Sequence, residues 1–190
     1  MTQSYPEHIA RLMEVRYDRL PLKKDGEALD WRSDAPTSCG VYAFWWRRGA
    51  RQFFHSIRNR TLHFTGPGGV PHDLPVTMSL LLTAPNGYLP LYVGKTAGSI
   101  ARRVGQHLML GTERTVKRAD AYLVSARRTT TNQVRDRLDR LFPEEPDTRP
   151  MALENLMLSY VELTEFYDRF FLENLAVGTL RPLFNVDSER

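Results

Sequence analysis

The chain has 190 residues, 42% hydrophobic and 25% charged, the composition of a globular protein with a substantial core. Its 26 Lys and Arg against 22 Asp and Glu give a formal charge of +4, which favours polyanionic partners. No apolar stretch approaches the roughly 20 residues that cross a bilayer. The charged N-terminus lacks the apolar core of a signal peptide, and Cys39 is the single cysteine. We therefore expect a cytoplasmic protein with neither a membrane-spanning segment nor an internal disulfide.

The first half of the chain predicts one helix and two strands. Residues 6–20 repeat apolar side chains at a helical period, which predicts a short helix. After a polar stretch at 21–38, the aromatic run CGVYAFWW at 39–46 predicts a buried strand. Residues 47–90 are irregular by composition, apart from a further strand predicted at 76–83.

The second half predicts alternating strands and helices. A strand over 89–96 leads to a helix over 99–110, and residues 131–142 predict another helix before a loop at 143–150. A strand near 156–163 precedes a last helix, from about Thr164 to a stop at Gly178.

Along the core segments, the order strand, strand, helix, strand, helix predicts one α+β domain over residues 1–190. We expect a small central mixed or antiparallel sheet flanked by helices. The expected parts are an N-terminal extension (1–38), a core (39–46, 89–110 and 156–185), and insertions after the first strand (47–88) and after the first core helix (111–155).

On the helix predicted at 99–110, Arg103 and His107 lie four residues apart on one edge of the apolar face, whereas Arg102 points away. One interpretation is an arginine whose stem covers apolar surface and a histidine that satisfies a backbone carbonyl. The other is a pair of functional groups at the junction of helix and sheet.

On the last helix, Phe166, Phe170, Glu173 and Val177 follow a helical period, so Glu173 is expected in an otherwise apolar stripe. A buried carboxylate is costly unless it is paired or binds a metal. Either a structural ion pair, for example with Arg103, or a ligand for a hard cation such as Mg²⁺ explains this pattern.

Five elements stand in a fixed order along the core. They are Gly40-Val41-Tyr42, Tyr92-Val93-Gly94 followed by Lys95, the Arg103/His107 pair, Glu173, and Arg181-Pro182-Leu183-Phe184-Asn185. In this order they resemble the motifs of the GIY-YIG nuclease superfamily, closest in pattern to its restriction endonuclease branch. The spacings from Tyr42 to Tyr92 and from His107 to Glu173 exceed those of the minimal family module. Restriction enzymes of the family carry insertions in such places.

The resemblance implies a metal-dependent DNA endonuclease that hydrolyses phosphodiester bonds. Glu173 would hold Mg²⁺ (or Mn²⁺), and Arg103 would contact the scissile phosphate. Tyr42 would be the general base or orient the attacking water, with a phenol pKa lowered by nearby cations.

The remaining roles follow from the same resemblance. Lys95 and His107 would supply the lowering of the tyrosine pKa, Tyr92 would hydrogen-bond near the phosphate, and Asn185 would brace the site. We expect the side chains to converge on one concavity in which Arg103 approaches Glu173 closely.

Basic residues outside the motifs are expected to follow the DNA path, although each has solvated surface as its alternative. They are Arg102, Arg114, Lys117, Arg118, Arg127 and Arg128. The leading interpretation is a sequence-specific restriction enzyme acting as a homodimer, because one site cuts one strand. The alternatives are a structure- or lesion-directed DNA nickase in repair or self-protection, and a non-catalytic nucleic-acid-binding module on the same fold.

Overall fold

The computed structural model describes residues 4–15, 22–25, 28–33, 35–47, 55–57, 59–65, 71–77, 85–108 and 133–185. The first half contains α1 (Tyr5–Met13), β1 (Leu22–Asp25), β2 (Ala28–Ser33), β3 (Gly40–Trp46), β4 (Thr61–Thr65), β5 (Pro71–Pro75) and β6 (Leu89–Thr96). The second half contains α2 (Ile100–Leu108), α3 (Gln133–Leu141), α4 (Arg149–Asn155), β7 (Leu156–Glu162), α5 (Phe166–Leu180) and a 3₁₀ turn (Leu183–Asn185).

The central sheet has three antiparallel strands in the order β6-β3-β7. Every residue of the middle strand β3 is buried, as its aromatic sequence predicts. The register places Tyr42 of β3 opposite Gly94 of β6 on one side and Tyr160 of β7 on the other. The prediction of an α+β fold with a small sheet flanked by helices is confirmed, and the sheet is antiparallel.

Alternate residues of β3 enter two different hydrophobic clusters, because successive side chains of a strand point to opposite faces. Tyr42 and Phe44 pack with residues of α2 and α3. Val41 and Trp45 pack with residues of α1 and α5. We call these two sides of the sheet the α2 face and the α5 face. The sheet is therefore the middle layer between two layers of helices.

A buried hydrogen-bonded chain attaches α1 to the α5 face. The indole Nε1 of Trp45 donates to Oγ of Ser159 at 2.7 Å, and the Ser159 hydroxyl donates to the carbonyl oxygen of Leu12. Trp45, Ser159 and Leu12 are all fully buried. The serine thus satisfies the polar groups of three elements where water is absent.

Two peripheral hairpins form where the sequence predicts irregular chain. Strands β1 and β2 pair antiparallel within 21–38, and β4 and β5 pair antiparallel within 47–90. Charged residues in β1 and prolines at both ends of β5 mask the strand pattern, although two-stranded edges tolerate both. Of the strand predicted at 76–83, Val76 and Thr77 lie outside any strand, and 78–83 lie outside the described residues.

The predicted helices over 6–20, 99–110 and 131–142 are confirmed as α1, α2 and α3 with shifted ends. Helix α1 begins with a capping box in which the Glu7 carboxylate accepts a hydrogen bond from the backbone N–H of Ser4 at 2.7 Å. Residues 16–20 of the first predicted helix lie outside the described ones. No helix in the described part of the chain is long and apolar enough to cross a bilayer.

Two helix boundaries differ from prediction. Helix α4 begins at Arg149, inside the predicted loop 143–150, with Pro150 in its first turn, where a proline costs no hydrogen bond. Helix α5 does not stop at Gly178 but continues to Leu180. It ends at Arg181, which takes a left-handed conformation (φ 48°, ψ 55°) before Pro182. The proline, which cannot continue a helix, outweighs the glycine.

Candidate active site

The buried centre of the site is a hydrogen bond between Tyr42 and His107. The phenol Oη of Tyr42 lies 2.6 Å from Nε2 of His107, and both side chains are fully buried. The ring of Tyr92 packs against the same imidazole, with 4.7 Å between ring centroids. Residues from β3, β6 and α2 that the sequence singles out therefore meet on the α2 face.

Gly94 makes this meeting sterically feasible. A Cβ atom at Gly94 would lie 2.7 Å from Oη of Tyr42 and 2.7 Å from Cε1 of Tyr92. Both tyrosine rings therefore lie directly against the glycine backbone, and any larger residue would displace them. The sequence marks Gly94 only as the end of the Tyr-Val-Gly motif, and its role as a positioning residue emerges from the structure.

Arg103 lies one helical turn before His107 and is half-buried. Its guanidinium hydrogen-bonds to the phenol of Tyr42, and its Nη1 donates to Oε1 of Gln106 at 3.3 Å. Arg102, the neighbouring residue, is exposed on the helix. The prediction that Arg103 and His107 share one edge while Arg102 points away is confirmed.

The predicted lowering of the tyrosine pKa is wrong for the protein alone. Burial raises the pKa of Tyr42 well above 10.0, and the nearby Tyr92 and Glu173 add to this rise. The charge and hydrogen bond of Arg103 lower the pKa but do not outweigh burial. Burial, followed by the positive charge of Arg103, lowers the pKa of His107 well below 6.5. His107 is therefore a neutral imidazole and supplies no cation to Tyr42.

The neutral imidazole defines what the Tyr42–His107 pair can do. Within the described residues, Nδ1 of His107 has no hydrogen-bond partner, so Nε2 makes the bond on which the ring's orientation depends. A neutral imidazole has one donor and one acceptor nitrogen. Its Nε2 can accept the phenol proton or donate to the phenol oxygen. The pair can thus move one proton between Oη and Nε2.

Glu173 reaches the site from the other layer. Its carboxylate forms an ion pair with Nζ of Lys95 in β6, and the glutamate as a whole is 9% exposed. Helix α5 packs on the face opposite to α2, and the predicted convergence of the five side chains on one concavity stays a prediction. Glu173 nevertheless raises the pKa of Tyr42, so the two groups interact around the edge strand β6. Arg103, the expected close partner of Glu173, hydrogen-bonds to Tyr42, and its predicted approach to Glu173 stays a prediction.

The prediction that Glu173 lies in a buried apolar stripe with Phe166 and Phe170 is wrong. Phe166 and Phe170 are 59% and 41% exposed, and the inner side of α5 is formed by Leu172, Ala176 and Leu180. Helix α5 has apolar residues on both sides, so its periodicity allows two choices of buried stripe. Glu173 borders this inner side. Its predicted burial is confirmed, although its neighbours are not the ones predicted.

Asn185 braces β6, the strand that carries Tyr92 and Gly94. Its Oδ1 accepts the backbone N–H of Val93 at 2.7 Å, and its Nδ2 donates to the carbonyl oxygen of Val93 at 2.8 Å. β6 pairs with β3 on its other side, so the asparagine amide completes the hydrogen bonding of an edge strand. The brace acts on the residue between Tyr92 and Gly94.

The donor set offers a single carboxylate for a metal. No group of three His, Cys, Asp or Glu side chains that could hold a metal ion occurs in the described part of the chain. Mg²⁺ needs no such group, because it keeps several waters and often uses one or two carboxylates. The largely buried Glu173 fits this requirement if Lys95, whose flexible side chain is 31% exposed, yields its place beside the carboxylate.

Most of the basic residues predicted along the DNA path are not described by the structure. Arg114, Lys117, Arg118, Arg127 and Arg128 lie in the segment 109–132, outside the described ranges. Arg102 is described and is exposed. Its predicted contact with DNA stays a prediction.

No family model matches this chain, and no curated protein or solved structure is similar enough to count as a match. The function is therefore inferred from the residues of the site and their geometry.

Proposed function

We propose that this chain is a metal-dependent DNA endonuclease of the GIY-YIG type. The observation that carries the proposal is that five separated residues gather around β6: Tyr42, Tyr92, Arg103, His107 and Glu173. They come from two strands and two helices, and no local sequence rule brings them together. Two side chains with shifted pKa values, Tyr42 and His107, beside the positive charge of Arg103 are typical of a catalytic centre.

Each group has a task in phosphodiester hydrolysis that matches its surroundings. Arg103 and Lys95 are the partly exposed cations, suited to bind phosphate oxygens. Tyr42 and His107 form the proton-handling pair, with Arg103 oriented on the phenol. Glu173 would hold Mg²⁺, which supplies a Lewis acid for the phosphate and a more acidic water. Gly94 and Asn185 keep the tyrosines in position.

Phosphate binding changes the electrostatics of the pair. A phosphate anion beside Arg103 would offset the positive charge that, after burial, lowers the pKa of His107. The imidazole then becomes a better acceptor for the Tyr42 proton. The same anion would also offset the charge by which Arg103 lowers the pKa of Tyr42, so the phenol becomes a weaker proton donor at the same time.

Two observations favour a second candidate, the non-catalytic nucleic-acid-binding module. Tyr42 is 0% exposed, so its phenol reaches no solvent in this conformation. The helix that carries Glu173 packs on the face of the sheet opposite to the helix that carries Arg103. Catalysis therefore requires a conformational change that admits substrate to the phenol, whereas binding alone does not.

The decisive experiment is incubation of supercoiled plasmid with the full chain, in Mg²⁺ or in EDTA, beside the variant Glu173→Gln. We expect cutting only with Mg²⁺, no cutting by Glu173→Gln, and DNA affinity retained in the variant, because the substitution removes the metal ligand and leaves the basic residues. The exposed Glu154, outside the site, offers the matched control Glu154→Gln, which should cut normally.

Each alternative has its own outcome in this assay. Discrete fragments from intact plasmid favour a restriction enzyme, and cutting restricted to branched or damaged DNA favours a nickase. Wild-type protein that binds DNA and never cuts it indicates the non-catalytic module. Mg²⁺-dependent cutting retained by purified Glu173→Gln contradicts the metal assignment.

A further inference from the structure

The outer side of α5 groups large apolar side chains at the surface. Phe166, Tyr167, Phe170, Phe171 and Leu175 are between 41% and 70% exposed. A grouped apolar surface of this kind marks a binding site more often than single exposed residues do. Four of the five side chains are aromatic, so the surface offers flat rings rather than branched aliphatic groups.

This surface is continuous with the candidate active site through Lys95. Nζ of Lys95 lies 5.2 Å from the centroid of the Phe170 ring and also pairs with Glu173. The Phe166 ring is nearly parallel to that of Phe170, with an interplanar angle of 18° and centroids 6.4 Å apart. Two similarly oriented rings thus extend outward from the ion pair.

We propose that Phe166 and Phe170 bind an unpaired nucleotide base by stacking, while Lys95 binds the phosphate next to that base. The inference rests on the endonuclease proposal and deepens it by naming the substrate class. A base within a regular duplex already has two stacking neighbours, so the preferred substrate has an unpaired segment, such as a flap, a gap or a flipped nucleotide. Aromatic rings accept any base, because every base has a π face.

One contact favours a nucleotide over a second copy of the chain as the occupant. Lys95 lies over the Phe170 ring, so an occupant with a flat ring and an adjacent negative charge fits both side chains, whereas a second copy of this surface brings another set of apolar rings. A phosphate bound to Lys95 would take the place of the Glu173 carboxylate in the ion pair.

The test compares wild-type protein with the double variant Phe166→Ala/Phe170→Ala in EDTA, where no cutting occurs. Affinity is measured by fluorescence anisotropy for a labelled single-stranded oligonucleotide and for the duplex of the same sequence. Stacking contributes about tenfold or more in affinity per base. We expect a loss of that size for the single strand and less than about twofold for the duplex. The salt dependence should be unchanged, since no phosphate contact is removed.

Leu175→Ala is the matched control, because it removes an apolar side chain of the same helix that is 42% exposed and is not an aromatic ring. It should bind both DNA forms like the wild type. Unchanged single-strand affinity in the double variant, or an equal loss for duplex, overturns the stacking proposal. So does sedimentation of the wild type as a dimer that the double variant dissociates, which assigns the surface to a second copy.

Cleavage assays in Mg²⁺ distinguish a failure of the stacking proposal from a failure of the endonuclease proposal. Wild-type protein that cuts DNA, combined with unchanged affinity in the double variant, rejects the stacking site alone. Wild-type protein that cuts nothing, combined with a selective loss of single-strand affinity in the variant, rejects the endonuclease and leaves the stacking site supported.

Discussion

The two faces of the central sheet differ in depth beside the same strand, β6. On the α2 face, Tyr42 and His107 are fully buried and share a 2.6 Å hydrogen bond. On the α5 face, Lys95 is 31% exposed in its ion pair with Glu173, and the aromatic surface beginning at Phe170 is open to solvent.

In the nuclease proposed above, this difference would separate two tasks of the site. Burial fixes the geometry and shifts the pKa values of the α2-face pair, which suits proton transfer. On the α5 face, partial exposure leaves Lys95 available to a polyanion, whereas Glu173 beside it is largely buried. β6 serves both faces because its successive side chains alternate in direction. The edge strand is thus the structural link between the deep half and the shallow half of the site.

The largest effects should come from the two motif glycines, which test whether the deep half is set by steric fit. A Cβ at Gly40 would lie 2.2 Å from the carbonyl oxygen of Val161, a backbone atom that cannot move aside. Gly40→Ala should therefore lower the free energy of unfolding by more than about 3 kcal/mol. Chemical denaturation followed by circular dichroism measures this.

Gly94→Ala should affect the site more than the fold, since its Cβ meets the tips of the Tyr42 and Tyr92 rings. We expect a loss of about 1–3 kcal/mol in stability, and about a hundredfold in cleavage through displacement of the tyrosines. At Gly178, by contrast, a Cβ would meet nothing within 4 Å, so Gly178→Ala is the control and should stabilise the helix by about 0.5–1 kcal/mol. Equal losses of stability at positions 40 and 94, with cleavage intact at 94, would contradict the distinction.

The sequence predicts the core of the fold and the members of the site better than their arrangement. The aromatic run of β3 and the helix with Arg103 and His107 are recognisable because a strand and an amphipathic helix have fixed periods. The side of α5 that faces inward is not recognisable, because Phe166 and Leu172 are equally apolar and only tertiary packing selects between them.

The pKa shifts of the site cannot be predicted from the sequence either. Neighbouring cations suggested a lowered pKa for Tyr42, yet the burial of the phenol dominates and can be judged only from three-dimensional packing. The bracing role of Asn185 is similar. The motif predicts a support, whereas the double hydrogen bond to Val93 follows from the position of β6 at the sheet edge.

A medium-sized effect should appear in the pH dependence of stability, which reports on the deep half alone. The pKa of His107 lies well below 6.5 in the folded protein and near 6.5 in the unfolded chain. As pH falls below about 6.5, the unfolded chain binds one proton more, so stability decreases by up to about 1.4 kcal/mol per pH unit. His107→Gln should remove this part of the slope in urea unfolding measured between pH 7.5 and 5. Parallel curves for the two proteins would mean that the imidazole is not held neutral.

At high pH, the stability of the fold changes with pH in the opposite direction. Because the pKa of Tyr42 is raised in the folded protein, the unfolded chain loses the phenol proton first, and stability falls as pH rises above about 10. Tyr42→Phe should show a shallower fall than the wild type over that range. The Tyr42–His107 pair should therefore contribute most to the stability of the fold between about pH 6.5 and 10.

The smallest effect should come from Arg181, at the exposed C-terminal end of α5, and it tests the shallow half. Arg181 has φ 48° and ψ 55°, a left-handed conformation that costs a residue with a Cβ about 1–2 kcal/mol and glycine almost nothing. Arg181→Gly should therefore raise the melting temperature by roughly 2–4 °C per kcal/mol gained. Arg181→Ala is the matched control, because it removes the same charge and keeps the backbone strain. The difference in stability between the two variants measures the backbone strain, whereas a loss of DNA affinity that they share measures the contribution of the positive charge to DNA binding.

If the shallow half receives the DNA backbone, both variants should lose the same fraction of affinity and up to about one unit of salt slope. Unchanged DNA binding in both would place the path of the DNA away from the end of α5, and equal melting temperatures would show that the left-handed turn stores no strain.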